Sequence, residues 1–191
     1  PSPMTRAYLK KATLTPKSDA SKTKEIVRGI LEDIEAGGDA AAIEYAKKFN
    51  RYEGEIMLSD AAIEAASAAV PERLKRDIDF AHANVKKFAE AQLATVADFE
   101  TEVVPGLIAG QKAIPVNAAG CYVPGGRYSH IASALMSIAT ARVAGVSDIT
   151  ACSPPCAGEG IPDAMLYAMD LAGATRILTI GGVQGIAALA F

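Results

Sequence analysis

The chain has no tryptophan, and its 191 residues include only two histidines and three cysteines. With so few imidazoles, His82 and His130 join no Ser-His-Asp arrangement, carboxylate dyad or HExxH helix. No catalytic residue and no metal ligand is assigned within the chain, because zinc centres draw on clustered histidine and cysteine donors. Three thiols cannot all pair with one another, and none stands in a CxxC unit, which fits free cysteines in a reducing compartment. Cys121, Cys152 and Cys156 read as small core or loop residues. A basic run is missing too: 19 Lys and Arg against 22 Asp and Glu give a net charge of -3, without the cationic stripe of a nucleic-acid binder. The longest apolar stretch, residues 131–146, is interrupted by Ser137, Thr140 and Arg142, and the N-terminus has no signal-peptide core. Membrane insertion and export are not expected, and the expected compartment is the cytoplasm.

Half of the residues are hydrophobic, ample for a core. The first part reads as helices. Ser21 can cap one that carries Ile26, Val27, Ile30, Leu31 and Ile34 on one face and ends at Gly37-Gly38, and Asp39 can cap a second holding Ile43 and Phe49. Ser59 or Asp60 starts a third, and Pro71 suits the first turn of a fourth. In that fourth helix Leu74, Ile78, Ala81, Val85 and Phe88 recur at spacings that predict one packing stripe. Around Phe99 the period changes to alternation, and Pro105-Gly106 predicts a hairpin whose return arm is Leu107 to Val116. From Gly120 onward the pattern is strand (120–123), helix (129–145), strand (148–152), helix (161–172), strand (175–180) and a helix from Val183. Such alternation predicts parallel strands joined by right-handed crossovers. The expected fold is α/β: an N-terminal helical region with a β-hairpin over residues 1–116, then an incomplete Rossmann-like parallel sheet with flanking helices over 117–191. The final run Ile186-Ala187-Ala188-Leu189-Ala190-Phe191 lacks a helix-ending signal, so the helix and the chain are expected to continue in a longer protein.

Two turns stand out. Tyr122-Val123-Pro124-Gly125-Gly126 and Gly181-Gly182-Val183-Gln184 each lead from a strand into a helix. In an open parallel sheet both would lie beyond the carboxyl ends of the strands, where ligands bind. Helix N-termini there offer free N–H groups and a positive dipole end to an anionic cofactor. Gly125 and Gly126 permit close backbone approach, although the pattern is not the GxGxxG fingerprint, and a plain connecting turn fits equally well. Tyr122 brings a ring and a hydroxyl beside the first turn, and Gln184 brings an amide to the second; a core tyrosine and a capping glutamine are the alternatives. Arg127 and His130 could meet a phosphate, carboxylate or sulfonate, or stand in solvent. His82, at the margin of an amphipathic helix, reads as structural.

Gly120-Cys121-Tyr122-Val123-Pro124-Gly125-Gly126, Leu135-Met136, Ala141-Arg142-Val143-Ala144-Gly145, Ser153-Pro154-Pro155 and the block from Gly181 to Phe191 resemble, in order and spacing, the N-terminal portion of histidinol dehydrogenases. Gly37-Gly38-Asp39-Ala40-Ala41 resembles the early helices of that family, and the likeness runs from about Val27 to the end. It implies a homodimeric dehydrogenase dependent on NAD and Zn2+ that oxidises a primary alcohol through the aldehyde to the acid, as histidinol dehydrogenase converts L-histidinol to L-histidine with two NAD. Tyr122 and Gln184 match the family's NAD-contacting tyrosine and glutamine. The asparagine of a Gly-Pro-Gly-Asn motif, the Glu-His pair for acid-base work and the zinc-holding glutamine, histidine, aspartate and histidine have no counterpart here. The chain alone is therefore expected to be inactive. At Gly126-Arg127-Tyr128-Ser129-His130 the sequence departs from histidinol enzymes. There it looks more like the offshoot that oxidises 2,3-dihydroxypropane-1-sulfonate to sulfolactate, the sulfopropanediol 3-dehydrogenases. A cation near a sulfonate would make Arg127 and His130 substrate-specificity residues. The rival reading is a non-catalytic nucleotide-binding or interaction module that ends naturally at Phe191.

Overall fold

The computed structural model describes residues 20–126, 128–156 and 159–191. Helix α1 runs Ala20–Asn50 and bends at Gly38, whose φ of 58° and ψ of -146° leave the helical region. The two helices expected on either side of Gly37-Gly38 therefore meet at a kink, with Gly38 as the break between them. Ser21, expected as the cap, lies inside α1, because the helix already begins at Ala20. Ile30 and Ile34 are buried on the expected face while Ile26 is exposed. Helix α2, Asp60–Ala69, is capped by Ser59, whose Oγ accepts from the Ala62 N–H at 3.3 Å, which leaves one fewer unsatisfied donor at the helix start. Helix α3, Glu72–Leu93, has Pro71 at its N-cap, one position before the expected first turn.

Strands β1 (Phe99–Val104) and β2 (Leu107–Gln111) form the antiparallel hairpin, and every residue of both is exposed. Parallel strands β3 (Ala118–Tyr122), β4 (Asp148–Cys152) and β5 (Arg176–Leu178) follow, linked by α4 (Ile131–Val143) and α5 (Asp163–Ala172) and ending in α6 (Gly182–Ala190). The sheet order β3-β4-β5 follows the chain order, so the expected α/β alternation and parallel sheet are borne out. Strand β5 and helix α4 are shorter than the sequence predicts.

Strand alternation sends side chains to two packed faces. On one, Cys121, Ile149, Ala151 and Ile177 pack with Ile78 of α3, Ala134, Leu135 and Ile138 of α4, and Met165 and Met169 of α5. On the other, Cys152, Leu178 and Ile180 pack with Ile30, Ile34, Ala42 and Ala46 of α1 and Ala187 of α6. The outer edge of β5 is closed by Ile56 to Leu58: the Leu58 N–H donates to Ile177 O at 3.0 Å, and the Thr179 N–H to Ile56 O at 2.6 Å. Strand β3 is the opposite edge of the sheet.

Phe88 does not join the packing stripe of α3 and is 66% exposed, while Ala89 is buried. A seven-residue repeat drifts by ~20° per turn pair against a 3.6-residue helix. Counted from buried Ile78, Phe88 is turned about 80° off that residue's direction and Ala89 only about 20°, so the inward place passes to Ala89.

Candidate functional site

The carboxyl ends of β3, β4 and β5 meet in a mouth built from glycine and proline. Gly125, after β3, lies so close to Ser153 Oγ that a Cβ at that position would overlap it, and its next neighbour would be Pro154 O at 3.2 Å. Gly126 has φ 85°, a region open to glycine and strained for other residues. Gly181, after β5, has extended backbone, and it is contact that keeps it small: a Cβ there would come to 2.8 Å from Pro154 Cα and closer still to Cβ of the same ring. Ser153-Pro154, after β4, is thus wedged between the other two turns. Ser153 is fully buried, and its Oγ has no hydrogen-bond partner among the described residues.

Tyr122 and Gln184 are brought together at this mouth. The half-buried Tyr122 ends β3, and its hydroxyl oxygen accepts from the Gly182 N–H at 3.1 Å. Gln184 lies in the first turn of α6, 2% exposed, and its Nε2 donates to Asn50 Oδ1 at 3.0 Å. The Gly181 N–H donates to the same oxygen at 3.3 Å. The backbone of the second turn is therefore not bare, as the sequence suggests. Its first two N–H groups are capped by the side chains of Asn50 and Tyr122, and a ligand would meet those side chains and the later N–H groups of α6.

Asn50 gave no signal in the sequence. It ends a helix 131 residues before the turn it serves, and no local pattern announces such a pairing. His130 stands exposed at the N-cap of α4 and makes no side-chain cap. Arg127 lies outside the described residues. His82 belongs to a separate groove of about 560 Å³ beside Lys86 and Arg142; burial, followed by the charge of Lys86, lowers its pKa. Cys152 is buried, which pushes its thiol up to about 12, and burial also raises Cys121. Both are neutral thiols at pH 7, unsuited to nucleophilic work. Among the described residues no group of three or more His, Cys, Asp or Glu could hold a metal ion, and no helix is long and apolar enough to cross a membrane.

Compared with known proteins, the chain matches the histidinol dehydrogenase family over residues 14–191. It is 65% identical over 188 residues to the sulfopropanediol 3-dehydrogenase of Ruegeria pomeroyi, a match covering 98% of this chain and 43% of that protein. It is 37% identical over 168 residues to a histidinol dehydrogenase of Methanosarcina mazei, covering 87% of this chain and 39% of the other. The crystal structure of histidinol dehydrogenase from Elizabethkingia anophelis superposes with a TM-score of 0.81 at 33% identity, over 94% of this chain and 40% of that one. The chain spans less than half the length of these relatives.

Proposed function

The chain belongs to the histidinol dehydrogenase family, and from that footing we propose that it is the cofactor-orienting part of an NAD-dependent and zinc-dependent alcohol dehydrogenase. The whole protein would oxidise a primary alcohol through the aldehyde to the acid: 2,3-dihydroxypropane-1-sulfonate to sulfolactate, or L-histidinol to L-histidine. The observation that carries this reading is the meeting of Tyr122 and Gln184 around Gly182 at the carboxyl ends of parallel strands, where dinucleotides settle in open α/β sheets.

The residues fit NAD. Gly182, with φ 74° and exposed, leaves the surface above Gln184 clear, and a Cβ there would press on Gln184 Oε1 at 3.0 Å. Tyr122 offers a ring face for stacking, and its hydroxyl is held by the Gly182 N–H. Bound NAD+ supplies the hydride acceptor. The chain's own residues orient it: Tyr122 and Gln184 fix its position, while Gly125 and Gly126, packed on Ser153 and Pro154, let the backbone of the first turn line the approach. The described residues do not supply a zinc donor set, so zinc and the proton-transfer groups are assigned to sequence outside this chain, and no step is derived through them. Arg127 and His130, near the start of α4, are proposed to read the anionic end of a sulfonate substrate. A small-molecule alcohol as substrate, a homodimer as the assembly and the cytoplasm as the compartment complete the proposal, with neither nucleic acid nor membrane as a partner.

Titration of NADH fluorescence with the complete enzyme tests the cofactor reading. Saturable binding that Tyr122→Ala abolishes is the expected result; absence of binding would remove it. Turnover of the complete enzyme with both alcohols assigns the substrate, and an unchanged sulfonate KM in Arg127→Ala would end that residue's role.

A further inference from the structure

Asn50 joins α1 to the start of α6. A backbone N–H can only donate, so the atom that the Gly181 N–H meets must be the oxygen of the Asn50 amide, which fixes that amide's orientation. The same oxygen takes Gln184 Nε2. Gln184 must then turn its nitrogen to Asn50, which leaves Oε1 the amide atom nearer Gly182: a Cβ there would lie 3.0 Å from Oε1 and 3.3 Å from Nε2. The next residue, Arg51, has φ 52°, a left-handed conformation rare outside glycine, asparagine and aspartate. Its N–H closes the end of α1 on Lys47 O at 3.2 Å. Such conformations are held in place by their surroundings and gather at functional sites. Here the reversal ends α1 at the point where Asn50 reaches the turn.

We infer that Asn50 is a positioning residue for the cofactor. It holds the Gln184 carboxamide so that Oε1, an acceptor, is the atom offered to the ligand. This rests on the cofactor reading above and deepens it. Gln184 would meet a donor of the dinucleotide, a ribose hydroxyl or the carboxamide N–H of nicotinamide, and not a phosphate oxygen, which only accepts.

The test uses the complete enzyme with 15N-labelled glutamine side chains, following the Gln184 side-chain amide protons by NMR and NADH affinity by fluorescence. In Asn50→Ala the Gln184 amide protons should lose their protection from exchange. Asn50→Asp keeps both acceptor functions and should retain it, and Asn50→Leu, close in size to asparagine, replaces alanine if that variant does not fold. Asn50→Ala should weaken NADH about three- to tenfold, the loss of one neutral hydrogen bond. The double variant Asn50→Ala/Gln184→Ala should bind no worse than Gln184→Ala, since a residue acting through Gln184 has nothing left to act on. Additive losses, or Gln184 protons unchanged by Asn50→Ala, would overturn the inference while wild-type NADH binding stood. A complete wild-type enzyme that binds no NADH would overturn the cofactor reading, and the role given to Asn50 with it.

Discussion

The two glycine turns look alike in sequence and are held by different physics. The turn after β3 is a packing device: Gly125 is small because Ser153 and Pro154 fill the space a side chain would take. The turn after β5 combines packing with hydrogen bonds, since Pro154 presses on Gly181 while Asn50 and Tyr122 cap the N–H groups of Gly181 and Gly182. A glycine pair at a strand end therefore marks close approach without saying what approaches. At the first turn it is a neighbouring strand's hydroxyl and proline. At the second it is Pro154 again, joined by a hydrogen bond to a helix end more than a hundred residues earlier in the chain.

Substitutions can break this contrast. Gly181→Ala should do most damage: the new Cβ meets proline ring and backbone atoms that cannot rotate away, and overpacking of this kind costs about 3 kcal/mol. Urea unfolding checks it, and a loss well below that would mean the turn yields. Gly125→Ala meets a short hydroxyl side chain and should cost about 1–2 kcal/mol. Adding Ser153→Ala should restore most of that stability, because the Ser153 hydroxyl is buried without a partner and its removal costs little. Failure of the rescue would locate the clash at Pro154 O instead. Tyr122→Phe should cost least, about 0.5–1 kcal/mol, since the exposed Gly182 N–H can pass to water. If Tyr122→Phe cost more than Gly125→Ala, the ranking of hydrogen bonding below packing would be reversed.

Much of the fold was legible in the sequence. The change from helical spacing to alternation near Phe99, and the repeated strand-helix signal after Gly120, placed the hairpin and the parallel sheet because both are local rhythms of the chain. Ser59 marked a helix start through capping chemistry that acts within four residues, and Pro71 through its fixed φ, which suits the entry to a helix. Phe88 misled, since a strict heptad drifts on a 3.6-residue helix and the eye continues it too far. At the mouth of the sheet, Tyr122 and Gln184 were singled out in the sequence, but the side chains around them were not. The shared acceptor on Asn50 depends on where α1 ends after its bend at Gly38 and its reversal at Arg51, and that is a property of tertiary packing. The same limit hid the capping of Gly181 and Gly182, which turned an apparently open anion cradle into a surface of side chains.

One further consequence follows from the strap formed by Ile56 to Leu58 on the flank of β5. It makes growth of the sheet one-sided: hydrogen-bonding capacity at β5 is already engaged, so an incoming strand finds its template only along β3. Tyr122 terminates that receptive strand, with its phenol turned back across the sheet to Gly182, away from the open edge.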